Sequence, residues 1–279
     1  MFKLNARNSV RAGAALVGAA ALVVAFASTA SAHSPAKSSP KPAKPTIVLV
    51  HGAWEDGSSF SAVTEELQAE GYTVDVPAIP LRGLASDSAY LTTYLEQLTT
   101  GPVILVGHSY GGSVITNAAL ADPEVKALVY VDAFIPDQGE SIASIVGGST
   151  SALNVADPTT VYNLVGLSDG TTDVYLKPAT LDNDLANGLS SREKALLVST
   201  QRPIAFGAVA ETSGVPAWKT LPSWDVVGTQ DKVIPEATQL SEAKRAGSHV
   251  TLVNAPHLSQ ISNPTAVTLV IDKAASSIN

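Results

Sequence analysis

Residues 102–120 read PVILVGHSYGGSVITNAAL: a short apolar run, a serine between two glycines, and a stretch with the character of a helix. Val103 to Val106 has the pattern of a buried strand, so Gly107-His108-Ser109-Tyr110-Gly111 has to turn the chain sharply from strand into helix. Such a turn strains its central residue, and side chains two positions to either side would collide with the main chain. Glycines at 107 and 111 remove those collisions. The serine hydroxyl then points into a cleft at a helix amino terminus, where the dipole favours the negative charge that develops in acyl transfer. Ser109 is therefore the candidate nucleophile. The same pattern recurs at Gly166-Leu167-Ser168-Asp169-Gly170. No long apolar strand precedes that copy and Thr171-Thr172-Asp173-Val174 makes a poor helix start, so Ser168 is expected in a structural turn.

Around this turn, short apolar runs alternate with amphipathic stretches, the signature of parallel strands covered by helices on both faces. Six strands are expected, at Thr46 to Val50, Thr73 to Val76, Val103 to Val106, Ala127 to Val131, Trp224 to Val227 and Val250 to Val253. The fold class is thus α/β, with a mostly parallel six-stranded core sheet in one domain over 46–279. From Asp137 to Pro216 the rhythm fails. Gly/Ser/Thr-rich turns surround one predicted helix, Ser191 to Ser199, and the stretch is expected to be a cap inserted over the carboxyl ends of the strands.

The first 45 residues do not fit the domain. Lys3, Arg7 and Arg11 precede an apolar run from Ala14 to Ala27, and Ala30-Ser31-Ala32 supplies a cleavage site, the pattern of a secretory signal over 1–32. The run is shorter than the roughly 20 residues of a spanning helix. Residues 33–45, HSPAKSSPKPAKP, have the composition of a disordered leader. The expected product is secreted, with no stable membrane insertion after cleavage. Loss of the signal takes the formal net charge from −8 to −11, which disfavours nucleic acid and anionic membranes as partners. With no cysteine, disulfides and thiolate metal sites are excluded.

A serine hydroxyl needs a base, and histidine is the usual one near neutral pH. His33 lies in the leader, His51 and His108 flank strand ends where structural or pocket-lining roles fit, and His249 opens the last strand. His257 follows that strand in a loop at its carboxyl end, where ligands bind in such sheets, and is the candidate base. Asp231, just past the fifth strand, suits the carboxylate that orients it. Asp132, ending the fourth strand, is the rival; the chain order Ser, Asp, His favours Asp231. Backbone N–H groups of Ala53 and Tyr110 would bind the oxyanion. Trp54 and Phe60 either line the pocket or pack the first loop onto the core. No metal-ligand cluster is apparent.

Val48-Leu49-Val50-His51-Gly52-Ala53, Val106-Gly107-His108-Ser109-Tyr110-Gly111-Gly112, Asp132-Ala133-Phe134-Ile135-Pro136-Asp137 and Gly228-Thr229-Gln230-Asp231-Lys232-Val233-Ile234-Pro235 together resemble a branch of the α/β-hydrolase superfamily. That branch holds plant methylesterases, plant hydroxynitrile lyases and bacterial hydrolases. The resemblance spans Thr46 to about Ser276 and implies the triad Ser109, Asp231, His257, the donors Ala53 and Tyr110, and no cofactor. Esterase action on a small uncharged ester is the expectation. The alternatives are a hydroxynitrile-lyase-like carbon–carbon lyase and a small-molecule receptor; the oligomeric state is not readable. The lyases of the branch carry threonine and lysine where this chain has Gly52 and Leu258. Leu258-Ser259-Gln260 is expected to shape the pocket, and Gly52 to leave room for the deacylating water.

Overall fold

A strand that sits between neighbours in a parallel sheet buries both faces, and β1 (Thr46–Val50) does so along its whole length in the computed structural model. The structure describes residues 44–278. By contacts the chain divides into units Met1–Lys41 and Pro42–Asn279, and only the second is described here. The signal and nearly all of the leader therefore lie outside the described residues.

The first sheet holds β1, β2 (Thr73–Asp75), β3 (Val103–His108), β4 (Val125–Val131), β8 (Ser223–Gly228) and β9 (His249–Val253), in the order β2-β1-β3-β4-β8-β9. Every pairing in it is parallel, so the sheet is wholly rather than mostly parallel. Side-chain alternation sorts the core into two layers. Ile47, Leu49, Ile104 and Val106 pack with Val63 and Leu67 of α1 (Ser61–Ala69) and with the carboxyl-terminal helix Pro264–Ser277. Val48, Val50 and Leu105 pack with Leu91 and Leu95 of α2 (Leu84–Leu98) and Val114 of α3 (Tyr110–Ala118). Strand order reverses between β1 and β3, so the loops after these two strands meet at the crevice where open α/β sheets bind ligands.

The cap contains a structure that its sequence does not announce. β5 (Tyr162–Gly166), β6 (Thr172–Leu176) and β7 (Ile204–Ala205) form a separate antiparallel sheet. β5 is almost wholly exposed and β7 has two residues, so neither displays the apolar alternation that marks a strand. Ser168 lies in the exposed turn between β5 and β6, closed by Leu167 N–H donating to Thr171 O at 2.8 Å and by Gly170 at φ 86°. The predicted cap helix is present as Ser191–Thr200, with Ser190 and Glu193 forming a capping box.

Candidate active site

Because the strands are parallel, the residues after β1, β3, β8 and β9 all emerge on one edge of the sheet. Ser109 sits there at φ 50°, ψ −120°, in the left-handed region that costs a residue with a side chain on the order of 1–3 kcal/mol. A Cβ on Gly107 would stand 2.6 Å from Gly111 O, and one on Gly111 would overlap Val50 O. The glycines are therefore required sterically. Among the described residues, non-glycine positive φ occurs at Trp54, Leu81, Ser109 and Asp132, and three of these four border the site.

His257 is wholly buried and its Nδ1–H donates to Asp231 Oδ2 at 2.8 Å. Asp231 is itself fixed: Oδ1 accepts from the N–H groups of Val233 (2.7 Å) and Ile234 (2.9 Å), and Oδ2 from Gln239 Nε2 (2.8 Å). These donors stabilise the carboxylate and aim it at the ring. His257 Nε2 makes no hydrogen bond, so the ring is in the tautomer that can accept a proton there. The bond from Ser109 is not closed; such bonds commonly tighten only when substrate binds.

Asp132 does not touch His257. Its Oδ1 accepts from Gly228 N–H (2.7 Å) and its Oδ2 from Ser259 N–H (3.0 Å), lacing the ends of β4 and β8 to the start of the short helix Ser259–Ser262 after His257. Burial and the nearby Asp231 charge push its carboxyl up to about 8.

Ser109, Tyr110, Ala53 and Trp54 line a cavity of about 240 Å³ whose other wall is formed by cap residues such as Tyr162 and Ile204. No charged side chain lines it. The Ala53 and Tyr110 N–H groups make no hydrogen bond within the protein, leaving both as open donors. The Trp54 indole N–H donates to Val174 O at 2.9 Å and its ring stacks on Tyr162, pinning the first loop to the cap.

Four expectations need correction. Phe60 does not reach the cavity; it is buried in the opposite layer with Ile47 and Leu67, because its helical turn packs beneath the sheet. His108 does not line the cavity either, since its side chain turns away into a buried ion pair with Glu55. Leu258 is wholly buried in the core and does not shape the pocket. Gly52 leaves no space for water: a Cβ there would lie 2.7 Å from Glu55 Oε1 and 2.8 Å from both His108 Nδ1 and Ser109 Cβ.

Glu55 is the functional-site residue that sequence reasoning misses. Its one signal is a carboxyl three residues past Gly52, directly after Ala53-Trp54, and it is shared with the adjacent Asp56. No group of three or more His, Cys, Asp or Glu side chains among the described residues is arranged to hold a metal ion. Nor is any helix among them long and apolar enough to cross a membrane.

The chain matches the alpha/beta hydrolase family over residues 47–268. It is 36% identical over 112 residues to the carbendazim hydrolyzing esterase of Nocardioides sp. (strain SG-4G), a match covering 36% of this chain and 46% of that protein, so under half of the relative's length is spanned. It is 27% identical over 229 residues to the pyrethroid hydrolase of Sphingobium wenxiniae, covering 75% of this chain and 79% of the relative. The fold superposes on the crystal structure of polyneuridine aldehyde esterase with a TM-score of 0.72 at 18% identity, covering 83% of this chain and all of that one. Strand order, strained serine and family match agree: the chain belongs to the α/β-hydrolase family.

Proposed function

We propose that the protein is a carboxylic-ester hydrolase acting on small uncharged esters through Ser109, His257 and Asp231. The observation that carries this reading is the cavity beside Ser109, which offers apolar walls, two open N–H donors and no charge. Relatives named as esterase and hydrolase support it.

Ser109 Oγ attacks the ester carbonyl carbon while His257 Nε2 takes its proton, and the Asp231 carboxylate stabilises the resulting imidazolium. The carbonyl oxygen, now an oxyanion, receives hydrogen bonds from the Ala53 and Tyr110 N–H groups, each such donor being worth about 10²- to 10³-fold in rate. The tetrahedral intermediate collapses, His257 returns the proton to the departing alkoxide, and an alcohol leaves. Water then attacks the acyl-serine with His257 again as base, releasing the acid.

A lyase would need a cation facing departing cyanide. Leu258 is apolar and buried, and His108 is bonded at both ring nitrogens and absent from the cavity wall. The test is steady-state hydrolysis of p-nitrophenyl acetate and butyrate beside cleavage of mandelonitrile. Multiple turnovers on the esters, negligible cyanohydrin cleavage, loss of activity in Ser109→Ala and retention in Ser168→Ala are expected. Cyanohydrin cleavage at a comparable rate points to a lyase, and one slow event per molecule to a receptor.

The protein is also proposed to be exported and cleaved after Ala32, on the strength of the basic start, apolar run and small-residue site. Mass spectrometry of the secreted chain should find His33 at its amino terminus; Met1 retained in a membrane fraction would refute this.

A further inference from the structure

We propose that Glu55 and His108 form an ionised, buried pair that positions the oxyanion loop and the general base without touching substrate. The proposal rests on the serine-esterase reading above.

His108 immediately precedes the nucleophile. Its Nδ1 faces Glu55 Oε1, and its Nε2 lies 2.9 Å from the backbone carbonyl of His257. A carboxylate and a carbonyl both accept, so each ring nitrogen must carry a proton and the imidazole is a cation. The remaining capacity of Glu55 is spent on the same machinery. Oε1 also accepts from Gly52 N–H at 2.8 Å, and Oε2 accepts from Gln260 Nε2 at 3.2 Å. Gly52 precedes the Ala53 donor, and Gln260 lies in the short helix Ser259–Ser262 that follows His257. One ion pair thus joins the loop after β1, the end of β3 and the His257 loop.

The other titratable groups around the pair are consistent with this charge state. His51 donates from Nδ1 to Gly52 O and accepts Ile79 N–H at Nε2, so it is neutral, and burial holds its pKa down. Asp132 faces His108 with its carboxyl pushed up to about 8, so the counter-charge to His108 is Glu55; the His257 ring lies 4.8 Å away, between centroids. Burial opposes ionisation of both partners, but their mutual attraction and hydrogen bond outweigh it. The Glu55 carboxyl is held at about 2 and the His108 pKa is raised. Desolvating two charges is expensive where apolar side chains would pack more cheaply, and a retained pair of this kind is accounted for by geometry it alone specifies. The absence of both side chains from the Ser109 cavity leaves positioning as their route to the reaction.

The experiment compares the wild-type protein with Glu55→Gln, which keeps the volume and removes the charge. In the variant, kcat on a short acyl ester should fall by roughly 10- to 100-fold, the scale set by small misplacements of reacting groups, with KM changed by less than about threefold. Long-range ¹⁵N–¹H spectra of the wild type should show His108 protonated at both nitrogens from pH 6 to 8, and the variant should lose one of those protons within that range. A folded variant with kcat within threefold of wild type overturns the proposal, as does a neutral His108 in the wild type at pH 7. If the variant does not fold, the wild-type spectra decide. If the wild type hydrolyses no ester, the functional reading fails, while the spectra still decide whether the ionised pair exists.

Discussion

Two carboxylates end neighbouring strands of this sheet, yet only one meets the imidazole. Asp231 presents Oδ2 to His257, whereas Asp132 spends both oxygens on the N–H groups of Gly228 and Ser259. Asp231→Asn should therefore reduce kcat by on the order of 10⁴-fold, because the ring would lose its tautomer and the imidazolium its counter-charge. Asp132→Asn should leave most of kcat and instead cost about 1–3 kcal/mol of stability, since one amide NH₂ would face a donor. Steady-state kinetics with urea unfolding separates the two, and equal losses of kcat would remove the assignment. Gly52 makes an independent test. Gly52→Thr would drive its side chain into Glu55, His108 and Ser109, so a loss of at least tenfold in ester hydrolysis is expected, by the same misplacement argument. An unimpaired threonine variant would show that the loop yields.

At the level of elements, the cap packs Val174, Leu176, Leu181 and Ile204 into the core layer of Val48 and Val50, and hydrogen bonds tie its edge to the loop after β2. Arg82, in the loop after β2, bonds Asp173 of β6 at 2.6 Å and Pro203 O at 3.0 Å, while Ala205 N–H donates to Leu81 O at 2.9 Å. Arg82 is partly exposed, so its ion pair adds little to global stability. Its effect should be local. Arg82→Ala is expected to speed amide exchange in 172–176 and 204–205, leave exchange in β1 and β3 unchanged, and raise KM several-fold by loosening the cap wall of the cavity. Unchanged KM and exchange would mean that the Trp54 bond to Val174 and the Ala205 bond to Leu81 hold this edge of the cap without Arg82.

Across the whole molecule, stability should favour mildly acidic conditions. Burial pushes the Glu242 carboxyl up to about 8 against the opposing Arg245 charge, raises Asp225 well above its ordinary value, and with Asp231 places Asp132 at about 8. A carboxyl whose folded pKa is raised favours the folded state fully below its unfolded value, and this stability is lost as pH rises through the folded value. The urea midpoint should therefore fall between about pH 5 and pH 9, and Glu242→Gln should flatten that decline. A variant with an unchanged slope would show that Glu242 is ionised in the fold. Glu55 acts oppositely: its depressed pKa gives stability present above the ordinary glutamate value and lost only as pH falls through about 2.

The amino-acid sequence by itself determined the parallel sheet, because buried strands carry continuous apolar runs and periodicity is a local property. All six expected strands are present, to within two residues at each end. It also determined the glycine-flanked serine turn and the candidacy of Asp231 and His257, since each follows a legible strand, and the structure joins those two side chains at 2.8 Å. What tertiary structure decided is what depends on distant partners. The cap sheet escaped notice because β5 is exposed and β7 is two residues long. Phe60 had two plausible faces, and only packing against Ile47 and Leu67 chose between them. Glu55 reads as an ordinary loop carboxylate until its bonds to His108 and Gln260, and that of His108 to His257, close over 53, 205 and 149 residues of chain. No local pattern encodes such closures, because desolvation of a charge is set by what folds over it.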